Sequence, residues 1–241
     1  MTLPLTLLLG LALSPWEIQG SSRLDRPHSG NFRVSNPDTV GGCGMLELFD
    51  QVAREARIAI GFENAPGCWF GPRSVVTDGG HVLTARTARE AFDEVAGLTG
   101  TFSWREINGV VVIRPASAWE DADSFLRLRV DAFQLLNVSL DEALYRALDA
   151  ATPRLRFPRA NRLSSSPFDV PMSVDFSGGS LLGALTTIVR AKGDAEWHVG
   201  YTNAGAAILI SSLSRLDSSA TAFVPPIAWK PAPRALAYAR K

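Results

Sequence analysis

The chain repeats one pattern. Residues 87–104 read TAREAFDEVAGLTGTFSW and residues 180–197 read SLLGALTTIVRAKGDAEW, an offset of 93 residues from Thr87 to Ser180. The offset superimposes a hydroxyl cap, Ala91 on Ala184, Phe92 on Leu185, Val95 on Ile188, Gly100 on Gly193 and Trp104 on Trp197. Caps, apolar helix positions, a glycine stop and a strand tryptophan are what a small α+β unit needs in order to fold. A chain that carries them twice is expected to build that unit in tandem.

Within each copy the signals are local. In the first, Met45, Leu46, Leu48, Phe49, Val52, Ala53 and Ala56 recur at helical spacing, and residues 58–62 (IAIGF) read as a strand. Residues 32–34, 74–77 and 81–84 are short strand candidates. Thr87 followed by Glu90 is a capping box, in which each side chain satisfies an amide that the helix cannot, and Gly100 ends that helix. Asn108-Gly109 between residues 101–106 and 110–113 predicts a hairpin. In the second copy, residues 125–130 (FLRLRV) alternate as a strand, with residues 133–136 prolonging it after a break. Ser139 and Glu142 form another capping box, Pro153 ends the helix, and residues 155–157 correspond to 58–60. Residues 170–176 form a strand, Ser180 caps the last helix, and residues 196–202 and 206–210 close the copy as a hairpin.

The expected architecture is α+β: two tandem small units, each a mixed sheet of short strands covered by two helices. The divisions are a leader over 1–20, a first unit over 21–114, an acidic solvated linker over 115–124, a second unit over 125–212 and a Pro-rich basic tail over 213–241, extended or disordered. The leader is apolar from Leu3 to Leu13 apart from Thr6 and Pro4, with no charge before Glu17. That is a signal-peptide length, too short to span a bilayer, although the n-region lacks Lys and Arg. A buried N-terminal helix or strand is the competing reading. Export predicts a periplasmic setting, and no membrane span is expected in the mature chain.

Lys+Arg and Asp+Glu both number 24, so no general electrostatic case exists for nucleic acid. The two cysteines, Cys43 and Cys68, are candidates for a disulfide in an oxidising compartment, worth ~3 kcal/mol by chain entropy; two free thiols are the alternative. Beside Cys68, Trp69 and Phe70 in the loop PGCWFGP are candidate partner-binding residues, as are Trp229 and Tyr238 in the tail. Its histidines, His28, His81 and His198, share no motif, and no metal site or cofactor is expected. Neither HExxH, GxSxG, a phosphate loop nor CxxC occurs, so the chain reads as non-enzymatic.

The run Phe133-Gln134-Leu135-Leu136-Asn137-Val138-Ser139-Leu140-Asp141-Glu142-Ala143-Leu144 resembles the opening of a secretin and TonB N-terminus short domain. The second helix, Ser180 to Leu185, and the close at Gly193, Trp197 and Ile208 to Ile210 continue the resemblance. The first copy resembles it more weakly through Glu47-Leu48-Phe49, Thr87 to Phe92, Trp104 and Val110 to Ile113. The resemblance implies a periplasmic interaction or signal-receiving module whose partner is an envelope protein. It lends no pore or transport role, because no plug, barrel or secretin segment accompanies it. A small envelope hydrolase or ligand-binding protein, using the cleft between the units, is the second reading.

Overall fold

The computed structural model describes residues 23–34, 45–65, 80–151, 170–193, 195–202, 205–212 and 222–227. The first copy runs β1 (Arg33–Val34), α1 (Met45–Ala56), β2 (Ile60–Glu63), β3 (His81–Val82), α2 (Ala88–Thr99), β4 (Phe102–Ile107) and β5 (Val110–Pro115). Then come β6 (Arg129–Val130), β7 (Phe133–Val138), α3 (Leu140–Ala151), β8 (Met172–Phe176), β9 (Gly179–Ser180), α4 (Leu181–Lys192), β10 (Ala195–Thr202), β11 (Gly205–Ser212) and β12 (Ala222–Ile227). The fold is α+β, as the sequence indicates.

Local signals hold where they are strongest. Thr87 accepts from the Glu90 amide while the Glu90 carboxylate accepts from the Thr87 amide, and Gly100 ends α2 with φ 63. Ser180 accepts from the Gly183 amide at 3.2 Å to start α4. The Ser139 box is half made: Ser139 accepts from the Glu142 amide at 3.4 Å, but the Glu142 carboxylate accepts from Arg146 at 2.8 Å. Asn108 and Gly109 both have positive φ, and the turn joins Ile107 directly to Val110 in the β4:β5 register.

The repeat survives as topology. In the first copy β1 pairs antiparallel with β3 and β4 with β5; in the second β7 pairs with β8 and β10 with β11. The two sheets do not stay separate. β2 lies between β5 and β10, parallel to both, giving one six-stranded order β12-β11-β10-β2-β5-β4. Side chains alternate across this sheet. Ile60, Phe62, Val111 and Ile113 join the core of α1 and α2, whereas Ala59, Val110 and Val112 join that of α3 and α4. The two helix pairs therefore cover opposite faces of the central strands, which is why β5 opens as an unbroken apolar run, VVVI. An isolated first unit would leave Val110 and Val112 in water.

Two expectations are corrected, and one of two alternatives for the tail is selected. Residues 115–124 are not a solvated linker: Ala116–Trp119 is a 3-10 turn, and Trp119 is only 7% exposed. Its Nε1 donates to Ser103 Oγ at 2.8 Å, and the guanidinium groups of Arg105 and Arg114 lie 4.4 and 5.0 Å from its ring centre. Residues 125–130 are not one strand. Phe125 and Leu126 are adjacent yet both buried, which a strand facing one core cannot achieve, so Phe125–Arg127 is a 3-10 turn and only Arg129–Val130 pairs, with β9. Within the tail, read as extended or disordered, Ala222–Ile227 is extended: it forms β12, antiparallel to β11, and gives the β11 backbone partners on that side. The strand candidates at 74–77 and 155–157 lie outside the described residues.

Candidate functional site

Where the copies meet, β2 and β10 run side by side, with Ile60 opposite Glu196, Gly61 opposite Trp197, Phe62 opposite His198 and Glu63 opposite Val199. Each face of this seam carries one group of buried polar side chains.

On the α3/α4 face, the Glu63 carboxylate accepts from Arg114 Nε on β5 and from the Tyr201 hydroxyl on β10. Arg114 Nη2 donates to Ser124 Oγ at 2.8 Å, and its guanidinium lies against Trp119. Glu63, Arg114, Ser124 and Tyr201 are all buried. Burial, followed by the Glu63 charge, pushes the Tyr201 phenol well above its ordinary value, so it stays a donor. These residues stand near the carboxyl ends of three parallel strands, where open sheets commonly place ligands. Here the position is filled by an internal ion pair with Trp119 beside it.

The α1/α2 face holds a more polar group. Arg54 on α1 donates from Nε to Asp50 Oδ2 at 2.8 Å, and from Nη2 to both oxygens of Glu196 at 3.2 and 3.3 Å. Ser211 on β11 donates to Glu196 Oε1 at 2.6 Å, and His198 Nε2 lies 3.6 Å from Oε2. The His198 ring stacks on Phe62 with centroids 4.7 Å apart. Two carboxylates share one guanidinium here, and the consequence falls unevenly. Burial and then the Glu196 charge push the Asp50 carboxyl up to about 6, against the pull of Arg54. Burial also works against the Glu196 charge, but His198, Arg54 and Ser211 outweigh it and hold that carboxyl well below the usual range. Asp50 Oδ1 is buried without a hydrogen-bond partner among the described residues.

Ser211 gives its proton to a carboxylate already bound by arginine, and His198 faces the same carboxylate. With its charge shared by Arg54 and His198, the Glu196 carboxylate is a weak base toward the Ser211 hydroxyl. Both polar groups tie the two copies together.

No family model, no curated protein and no solved structure matches this chain. Its own geometry is the guide to function.

All six residues singled out in the sequence, Cys43, Cys68, Trp69, Phe70, Trp229 and Tyr238, lie outside the described residues. The three histidines are far apart in role: His28 Nε2 is 2.8 Å from Glu55, His81 is 3.9 Å from Glu94, and His198 belongs to the seam. Trp104 and Trp197, equivalent in the repeat, differ in setting. Trp104 is half-buried and donates to Asp93 at 3.0 Å, whereas Trp197 is fully buried and its Nε1 has no hydrogen-bond partner among the described residues. Sequence reasoning missed the polar groups of the seam. A signal was present: Glu63 and Arg114 each close an apolar strand run, and Glu196 directly precedes the strand tryptophan. Among the described residues no helix is long and apolar enough to cross a membrane.

Proposed function

We propose that this chain is a non-enzymatic interaction or signal-receiving module of the bacterial cell envelope, exported to the periplasm, which binds an extended segment of an envelope protein. The resemblance of residues 133–144 and 180–210 to secretin and TonB N-terminus short domains supports this reading. So does the shared plan of the two copies, each with a two-stranded ribbon and a hairpin. The observation that carries it is the contrast between the seam and β7. Titratable groups at the seam are engaged with one another inside the protein. β7, FQLLNV, has neither charge nor proline and, at the bulge where its register with β8 skips from Leu135 to Val138, turns Leu136 outward at 71% exposure. Uncharged, proline-free strands of this kind invite pairing with another chain.

Reading the chain as a hydrolase or ligand-binding protein requires a cleft between the units. A parallel ladder joins β2 to β10 along that line, and this favours the binding module.

A photo-crosslinking residue at Leu136, in a chain expressed in a Gram-negative host, tests the proposal. The expected product is a mature chain cut near Gly20, found in the periplasmic fraction and joined to an envelope protein. The same residue placed at Asp175 on β8 serves as the control. A chain that keeps Met1 in the cytoplasm, or equal capture from both positions, overturns the reading.

A further inference from the structure

The two copies differ in what lies beside their closing hairpins. Next to β5 lies β2, a strand of the same copy, running parallel with Ile60 opposite Val111 and Phe62 opposite Ile113. Next to β11, the counterpart of β5, lies β12, which comes from beyond the repeat and runs antiparallel. One structural position thus takes strands of different origin and direction.

β12 is also a poor occupant. Its sequence, AFVPPI, contains Pro225 and Pro226, neither of which has an amide hydrogen. Amides of consecutive residues in an extended strand alternate between its two sides. Two adjacent prolines therefore take two amide donors out of β12, and neither proline has a partner in the β11 register. The register reflects this: it skips between Ala206 and Ile208, and β12 matches Ala206, Ile208, Leu209 and Ile210 alone, whereas β10 matches β11 over its full length from Ala195 to Thr202. Residues 213–221 separate β11 from β12, a longer stretch than the 2–5 residues of an ordinary hairpin loop. The seat offers Ile208 and Ile210, buried in the α3/α4 core, beside an uncharged backbone edge.

We propose that β11 is a strand-accepting seat which β12 holds as an exchangeable internal ligand, and that its external occupant is an extended, apolar, proline-free segment of a partner protein added antiparallel to β11. This rests on the binding-module reading and adds its regulation. A tethered strand acts at an effective concentration in the millimolar range, so β12 keeps the seat closed to weak strands and yields to one with a complete set of amide donors. Proline in β12 also discourages further strands from adding beyond it.

Binding of a fluorescein-labelled peptide to the full chain tests this. The peptide carries residues 221–228 with both prolines replaced by valine, and a scrambled peptide is the control. The full chain is expected to bind the peptide and not the scramble. A P225V/P226V chain restores both donors and should bind about fivefold more weakly, while melting higher. A V224P chain loosens β12 and should bind about fivefold more tightly. Equal affinity for all three chains overturns the proposal, as does absence of binding to a V224P chain with a native circular dichroism spectrum. A stable dimer formed by exchange of β12 between copies would overturn the foreign occupant. The assay uses no envelope protein, so its failure leaves the Leu136 cross-linking result standing, and the reverse also holds.

Discussion

Gly61 on β2 and Trp197 on β10 lie opposite each other across the parallel ladder, with the indole occupying the space where a Gly61 side chain would be. A Cβ built on Gly61 would stand 2.0 Å from Trp197 Cε2 and 2.3 Å from Cζ2. The contact joins the two copies at the centre of the sheet, and it explains a glycine inside an otherwise apolar strand as a close approach.

Gly61→Ala is therefore expected to destabilise the protein by about 1–3 kcal/mol through overpacking. Trp197→Phe removes the six-membered part of the indole and its buried Nε1. Combining it with Gly61→Ala should cost less than the sum of the two single changes, by at least ~0.5 kcal/mol. Urea unfolding of the four chains measures this. Strict additivity would show that the two positions do not share the space.

Asp50 gives the seam a pH dependence with a defined sign. Its folded value of about 6 lies above an unfolded value of about 3.9. The folded state thus holds the extra proton, and the resulting stability is full below about pH 4 and lost as pH rises through 6. Glu196, depressed in the fold, acts oppositely: its contribution is present above about 4.3 and lost as pH falls towards its folded value. Above about pH 4.5 the Glu196 contribution is complete, and the Asp50 slope is worth at most ~3 kcal/mol by pH 7. Urea midpoints at pH 4.5, 5.5 and 6.5 should fall for the native chain and flatten for Asp50→Asn. An unchanged slope in the variant would remove Asp50 from the account.

What the sequence discloses follows the range of each interaction. The Thr87 box, the Gly100 stop and the Asn108-Gly109 turn are decided within a few residues and can be read directly. The pairing of Gly61 with Trp197 is decided between segments far apart in the chain, and no local pattern encodes which edge β2 will meet. VVVI at β5 did carry a trace, since a strand apolar on every residue must be covered on both faces. Reading it fully requires knowing that α3 and α4 lie on the side opposite α1 and α2. Glu63 and Arg114 were legible as charges ending apolar runs, but their meeting depends on the β2:β5 register. The linker misled because its acids are exposed or half-exposed while Trp119, between them and β5, is buried.

Arg114→Met leaves the Glu63 carboxylate buried beside Tyr201 without its cation. The expected cost is about 3–5 kcal/mol, the usual result of breaking a buried pair from one side. Adding Glu63→Met should recover much of it, because two apolar side chains of similar length leave no unpaired charge. Thermal unfolding of the single and double variants checks the order. A double variant less stable than Arg114→Met alone would mean that Glu63 stabilises the fold without Arg114, through its bond from Tyr201.

Because β2:β10 pairing and both polar groups join the copies, the two should unfold as one unit although the sequence reads as two. Arg54 on α1 holds Glu196 on β10, and Glu63 on β2 holds Tyr201 on β10, so neither copy can open without burying or exposing a charge unpaired. Tryptophan provides a probe in each copy: Trp104 beside Asp93 in the first, Trp197 in the core of the second. Chains in which every tryptophan except one of these two is replaced by phenylalanine should show denaturant transitions coincident with each other and with far-ultraviolet circular dichroism. Arg54→Met weakens one tie between copies and should shift both transitions together. If the Trp197 signal unfolds at a lower denaturant concentration than the Trp104 signal, the second copy opens alone, and the shared sheet is a contact between two independent domains.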